Sequence, residues 1–155
     1  MPTTSAAPPR VLTASEKRAA EEAAAGRTDE EIARRMSIGP RSVSLLLSRI
    51  GRRNGGGRSR PARIYSALAA GLITPLVPAR GAPDFTDADL LLIRALAEHS
   101  EPDAVAAAAR LHTSELIVRT ALLVLRAGAR DATHLVALAH AWELLDTAAR
   151  QGSDT

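Results

Sequence analysis

The sequence predicts an all-α fold built as two tandem four-helix helix-turn-helix units. Three observations predict it. Period-two alternation of apolar residues is absent, so no strand pattern appears. Helix-start signals recur, each a threonine followed three residues later by an acid: Thr13 with Glu16, Thr28 with Glu31, Thr86 with Asp89. The segments after the first signal then return, in related order and spacing, beyond a stretch bearing Pro75, Pro78, Gly81 and Pro83, as an internal duplication would make them.

Residues 1–10, small, polar and Pro-rich, read as a disordered arm without the apolar centre of a signal peptide. The first unit covers residues 11–73. Its first helix is capped by Thr13, runs to about Ala25 and stops at Gly26. The second starts at Thr28 and sets Ile32, Ala33 and Met36 on one face. Ser37-Ile38-Gly39 form a turn, and Pro40 suits the first position of a third helix reaching about Arg53. A Gly-rich basic loop, residues 54–60, leads to a fourth helix from about Pro61 to Ala70. Residues 74–84 read as a short semi-rigid linker. The second unit, residues 85–149, opens at Phe85-Thr86. A helix follows from Ser100-Glu101-Pro102, ending near Leu111. Another is capped by Ser114 and runs to about Arg126, and a last one spans about Ala132–Ala149. Residues 150–155 read as a disordered tail.

Charge divides along the chain. Residues 1–80 hold 14 Arg or Lys and 6 Asp or Glu, whereas residues 81–155 hold 6 and 11. A basic half meeting a polyanion and an acidic half doing something else is the expectation. The third helix carries the detail. Val43, Leu46 or Leu47, and Ile50 recur at helical spacing and should face the core. Arg41, Ser44, Leu45, Ser48 and Arg52 then look outward: two guanidiniums, two hydroxyls and one apolar group. Arginine binds guanine through two hydrogen bonds, and leucine can touch a thymine methyl. Arg49 and Arg53 sit nearer the flank and suit phosphates, with Arg58, Arg60 and Arg63 following. Thr28 stands at a helix start, where backbone amides favour an anion.

Leu12-Thr13, Glu16, Gly26, Glu31-Ile32-Ala33, Met36, Ile38, Val43, Ile50, Arg53 and Arg60 together resemble the LuxR/GerE (NarL/FixJ) DNA-binding domain over about sixty residues. Gly39, Ser42 and Asn54 depart from its usual Ser, Thr and Leu. The resemblance implies a third helix lying in the major groove of double-stranded DNA, with Ser42 among the contacts, and a last helix that often mediates dimerisation.

The second unit resembles the family more weakly, through Phe85-Thr86, Leu111, Val118 and Gly128-Ala129-Arg130-Asp131. Aligning Val118 with Val43 sets Leu116, Arg119, Thr120, Leu123 and Ala127 where the first unit has its outward face. Ala121-Leu122-Leu123-Val124-Leu125 is apolar on every side. Such a helix is expected to be covered by the first unit or by a second copy, or else to sit on a local core with a few exposed aliphatics. The expected self-association residues are Leu116, Thr120, Leu123, Val124, Leu135, Leu138, Trp142 and Leu145, with Trp142 either an interface anchor or a core tryptophan.

The chain has no cysteine. Its four histidines lack the i, i+4 pairing of a helical metal site, so no metal is expected. Gly55-Gly56-Gly57 lacks the Lys-Ser/Thr of a nucleotide loop, no cofactor is expected and no catalytic grouping stands out. No apolar run is long enough to span a membrane. The expectation is a cytoplasmic, non-enzymatic transcriptional regulator, a homodimer through its second unit. The competing readings are a low-specificity nucleoid or plasmid-maintenance DNA binder, and an interaction module for a polymerase subunit, sigma factor or other regulator.

Overall fold

The computed structural model describes residues 11–54 and 57–145. The expected arm and tail, and the last expected helical turn beyond residue 145, lie outside these residues. Among them there are eight α-helices and no strand: α1 (Ala14–Ala24), α2 (Asp29–Met36), α3 (Pro40–Asn54), α4 (Arg60–Ala69), α5 (Asp87–Glu98), α6 (Pro102–Ala109), α7 (Thr113–Ala127) and α8 (Ala132–Ala141).

The helix starts follow from local chemistry. Thr13 Oγ1 accepts from the Glu16 amide at 3.1 Å while Glu16 Oε1 accepts from the Thr13 amide at 2.9 Å. Thr28 with Glu31 and Thr86 with Asp89 close the same reciprocal cap. Each satisfies backbone donors that the first turn leaves unpaired, an effect of about 1 kcal/mol.

Helix lengths run 11, 8, 15 and 10 residues for α1–α4, then 12, 8, 15 and 10 for α5–α8. The turn before α3 passes through Ser37 in the left-handed region (φ 58°), and the turn before α7 through Arg110 (φ 59°). Ile38 and Leu111 then donate their amides back to the carbonyls of Ala33 and Ala106 at 3.0 and 2.9 Å. These matching turns set Val43 opposite Leu116, Leu47 opposite Thr120 and Ile50 opposite Leu123. The sequence register, which set Val118 on Val43, is therefore wrong by two residues. It was anchored on a shared side chain, whereas the turn fixes where each helix begins.

Two clusters form the interior. The first gathers Ala19, Ala20, Ala23, Ile32, Val43, Leu47, Ile50, Ile64 and Leu68 with Ile73 and, from α8, Ala137. The second gathers Leu92, Ile93, Val105, Leu123, Leu135, Val136 and Leu145, with Tyr65 of α4 packed against it. Helices α4 and α8 lie side by side between them: α4 also packs on α3 and α5, and α8 on α1, α5 and α7. Every residue from Leu135 to Ala139 is buried. The helix enclosed on all sides is α8, not α7. Alanines at 137 and 139 let its neighbours approach closely, which the larger aliphatics of α7 would prevent.

Three further expectations change. Helix α8 ends at Ala141, and Trp142 is its C-terminal cap, followed by Glu143 in the left-handed region (φ 61°). Helix α7 starts at Thr113 with His112 as its cap, two positions ahead of the expected Ser114, and the His112 amide bonds Glu115 at 3.4 Å. The stretch read as a linker is seated on the fold. Leu76 packs on the first cluster, the Thr74 amide donates to Glu21 at 2.7 Å, and Trp142 Nε1 donates to the Arg80 carbonyl at 3.0 Å.

Candidate nucleic-acid interface

Helix α3 rests on α1, α2 and α4 through Val43, Leu47 and Ile50, all buried. Leu47 rather than Leu46 takes the inward position, and Leu46 is half-buried. Among the described residues, none covers the opposite side. Arg41, Ser42, Ser44, Arg49 and Arg52 are exposed, Leu45 is 49% exposed, and Ser48 is half-buried between them. Among the described residues, the side chains of Arg41, Arg49, Arg52 and Arg58 enter no ion pair. Arg53 belongs to α3, but its side chain lies outside the described residues.

Two shallow clefts flank this helix. One, of about 470 Å³, has Met36, Ile38, Leu45 and Leu46 in its lining with Arg18 and Arg49. The other is lined by Leu45, Ser48, Gly51, Arg52, Gly57, Arg58 and Arg63. It brings the α3 arginines together with those of the basic loop and of α4. Gly51 makes this possible: a Cβ there would stand 2.8 Å from Arg63 Nε. Arg63 instead lies against the helix and donates to the Gly57 carbonyl at 3.4 Å.

Two residues that the sequence reading missed organise the site. Asp29, at the start of α2, pairs with Arg60 and accepts the Ser44 hydroxyl at 3.1 Å. It holds Arg60 beside α3 and removes one formal charge from the basic face. Ser100, in the turn between α5 and α6, accepts the amides of Arg58 and Ser59 at 2.8 and 3.1 Å. It fixes the start of α4 and the backbone at Arg58. No local pattern signals either contact, because the partners are 15 to 42 residues apart. Thr28 keeps its cap, its oxygen accepting from Glu31 and its hydroxyl hydrogen still available to a phosphate.

Electrostatics ties the acidic end of α2 to α8. The Thr28 amide and then the Arg130 guanidinium, 3.2 Å away, hold the Glu31 carboxyl below its ordinary value. His134 of α8 is half-buried, and burial lowers its imidazole below 6.5, with Asp131 opposing and Arg130 assisting. Its Nδ1 accepts the Arg130 amide at 3.0 Å, which requires that nitrogen to be unprotonated. Burial works against the charge of Asp89, but bonds from Thr86 and the nearby Arg126 outweigh it and hold that carboxyl low.

The residues expected to mediate self-association are not a surface. Leu123, Leu135, Leu138 and Leu145 are buried within the chain, and Leu116, Thr120, Val124 and Trp142 are half-buried. Trp142 packs against Phe85 with ring centres 6.2 Å apart, so it belongs to the interior edge. The exposed apolar residues of α7 are Ile117, Val118, Leu122 and Leu125 instead. The two-residue register error hid them.

Among the described residues no group of His, Cys, Asp or Glu is placed to hold a metal ion, and no helix is long and apolar enough to cross a membrane. No protein-family model, curated protein or solved structure matches this chain.

Proposed function

We propose that this chain is a sequence-reading DNA-binding regulator made of two tandem helix-turn-helix units, the first of which sets α3 in the major groove. One observation carries the reading. The side of α3 turned away from the core is left uncovered by the described residues and bears Arg41, Ser44, Leu45, Arg49 and Arg52, all exposed. A helix of 15 residues with such a face has the dimensions and the donors to meet base edges. Arg58 and Arg63 border it, where phosphates of the duplex would run.

A second reading has its own support. Leu45 projects beside a cleft whose floor is Met36, Ile38 and Leu46, a shape suited to an apolar anchor from a protein partner. Salt separates the two. Phosphate contacts make affinity fall steeply as salt rises, whereas an apolar anchor is far less affected.

The test is binding of the full chain to labelled duplexes across a salt series, with Arg41→Ala/Arg52→Ala beside the parent chain. The expected result is a steep salt dependence in the parent, and in the variant weaker binding with reduced preference over random competitor. Equal affinity and preference in the two would remove α3 as the reading helix.

A further inference from the structure

The outward side of α7 is apolar from Ile117 to Leu125. Ile117 is 82% exposed, Val118 61%, Leu122 52% and Leu125 75%, with Ala121 exposed among them. Four large aliphatics contiguous on one helix are more than the scattered exposure of an ordinary surface, and such patches mark interaction sites. We infer that this face is a homodimer interface, in which α7 packs antiparallel on α7 of a second copy about a twofold axis near Ala121 and Leu122.

The face matches itself. Val118 and Leu125 lie equally far on either side of the midpoint between Ala121 and Leu122, so a twofold axis there sets Val118 of each copy against Leu125 of the other. Ala121, the smallest residue in the row, sits at the axis, where the two backbones must come closest. Charge agrees with this direction of packing. Glu115, Arg119 and Arg126 follow one flank of the row, at spacings of four and seven residues, with the acid at the N-terminal end and the arginines toward the C-terminal end. An antiparallel pair brings Glu115 of each copy toward Arg126 of the other and sets the helix dipoles head to tail. Arg126 already bonds Asp89 and the Asp84 carbonyl, both at 2.8 Å, but its guanidinium has further N–H groups and its side chain is half-exposed. A shallow cleft of about 380 Å³ between Leu122, Leu125 and Arg119 leaves room beside the row for the partner's side chains.

A helix of 15 residues is about 22 Å long, so one helix pair buries less than a permanent dimer does. Area alone does not set affinity, so the concentrations to search are those around micromolar, where weak dimers assemble. Association does not depend on DNA reading and is measured without DNA.

The test is the solution mass of the full chain by sedimentation from about 1 to about 100 µM, a range that brackets micromolar affinity. The expected result is a rise from the chain mass of 16.3 kDa toward twice that value, lost in Leu122→Glu while helicity and melting stay those of the parent. The chain has no cysteine, so Ala121→Cys gives a second reading under mild oxidation. It should cross-link to its own copy quickly, with Ala69→Cys, exposed on α4, as the slow control. That comparison decides the matter if Leu122→Glu loses helicity. A monomer throughout the series, including one that binds lipid vesicles through this face, would overturn the proposal. So would a dimer unaffected by a folded Leu122→Glu, or equal cross-linking at positions 121 and 69.

Discussion

Helices α3 and α7 have the same length and follow the same left-handed turn, yet present opposite chemistry. Where α3 turns Arg41, Ser44, Leu45, Ser48, Arg49 and Arg52 outward, the matching positions of α7 hold Ser114, Ile117, Val118, Ala121, Leu122 and Leu125. The inward positions remain mostly apolar in both: Val43, Leu47 and Ile50 against Leu116, Thr120 and Leu123. The frame is thus set by the caps, the turn and the buried rows, while the outward row is free to vary because no core depends on it. A basic, hydroxyl-bearing row invites a polyanion, and an aliphatic row invites another apolar surface.

The sharpest way to break this comparison is to give α3 the outward residues of α7. Ser44→Ile, Arg49→Leu and Arg52→Leu together should lower DNA affinity roughly tenfold to hundredfold, since a well-made arginine–base pair at Arg52 is worth about 1–3 kcal/mol and a phosphate contact at Arg49 is lost with it. Fluorescence anisotropy would measure the loss, and circular dichroism should show α3 intact. Affinity near that of the parent would mean that the outward row does not distinguish the two helices.

The next effect concerns how the two halves are held together. Gly26 adopts φ +84°, and a Cβ there would stand 2.7 Å from Arg130 Cβ and 3.1 Å from His134 Cβ. Gly26→Ala should therefore destabilise the fold by about 2–3 kcal/mol, combining backbone strain with a clash between the turn after α1 and the segment that enters α8. Urea unfolding gives the value, and a loss under about 0.5 kcal/mol would mean that this seam yields easily. Ser100→Ala should cost about 1–2 kcal/mol by leaving the Arg58 and Ser59 amides without their acceptor. It should also loosen the basic loop, seen as faster amide exchange at residues 57–59, with α5 unchanged.

The smallest effect is one of pH. His134 is held below 6.5 by burial, so the unfolded chain binds its proton more readily than the folded one does. Its contribution to stability is present above pH 6.5 and is lost as pH falls through the folded value. His134→Gln should flatten that part of the stability profile, and an unchanged slope would assign it to other groups.

Much of the frame was legible in the sequence, because its signals are local. A threonine and an acid three residues apart close a cap within one turn, so Thr13, Thr28 and Thr86 all announce their helices. The outward row of α3 was legible for the same reason: arginines and serines interrupt an aliphatic row at helical spacing. What escaped depends on contacts across the chain. Asp29 with Arg60, and Ser100 with the start of α4, join segments that carry no mark of each other. The exchange of roles between α7 and α8 escaped because apolar residues on every side of a helix say that a surface needs covering, not by what. The alanines of α8 let the fold close around it, and the larger aliphatics of α7 were left outside.

The most direct measurement is selection of bound duplexes from a random DNA pool, run with the full chain and with its Arg41→Ala/Arg52→Ala variant. The expected result is an enriched motif in the first case, with the positions that face these arginines losing preference in the second. Absence of any enriched sequence, or the same motif from both chains, would contradict the assignment of α3 as the helix that reads DNA.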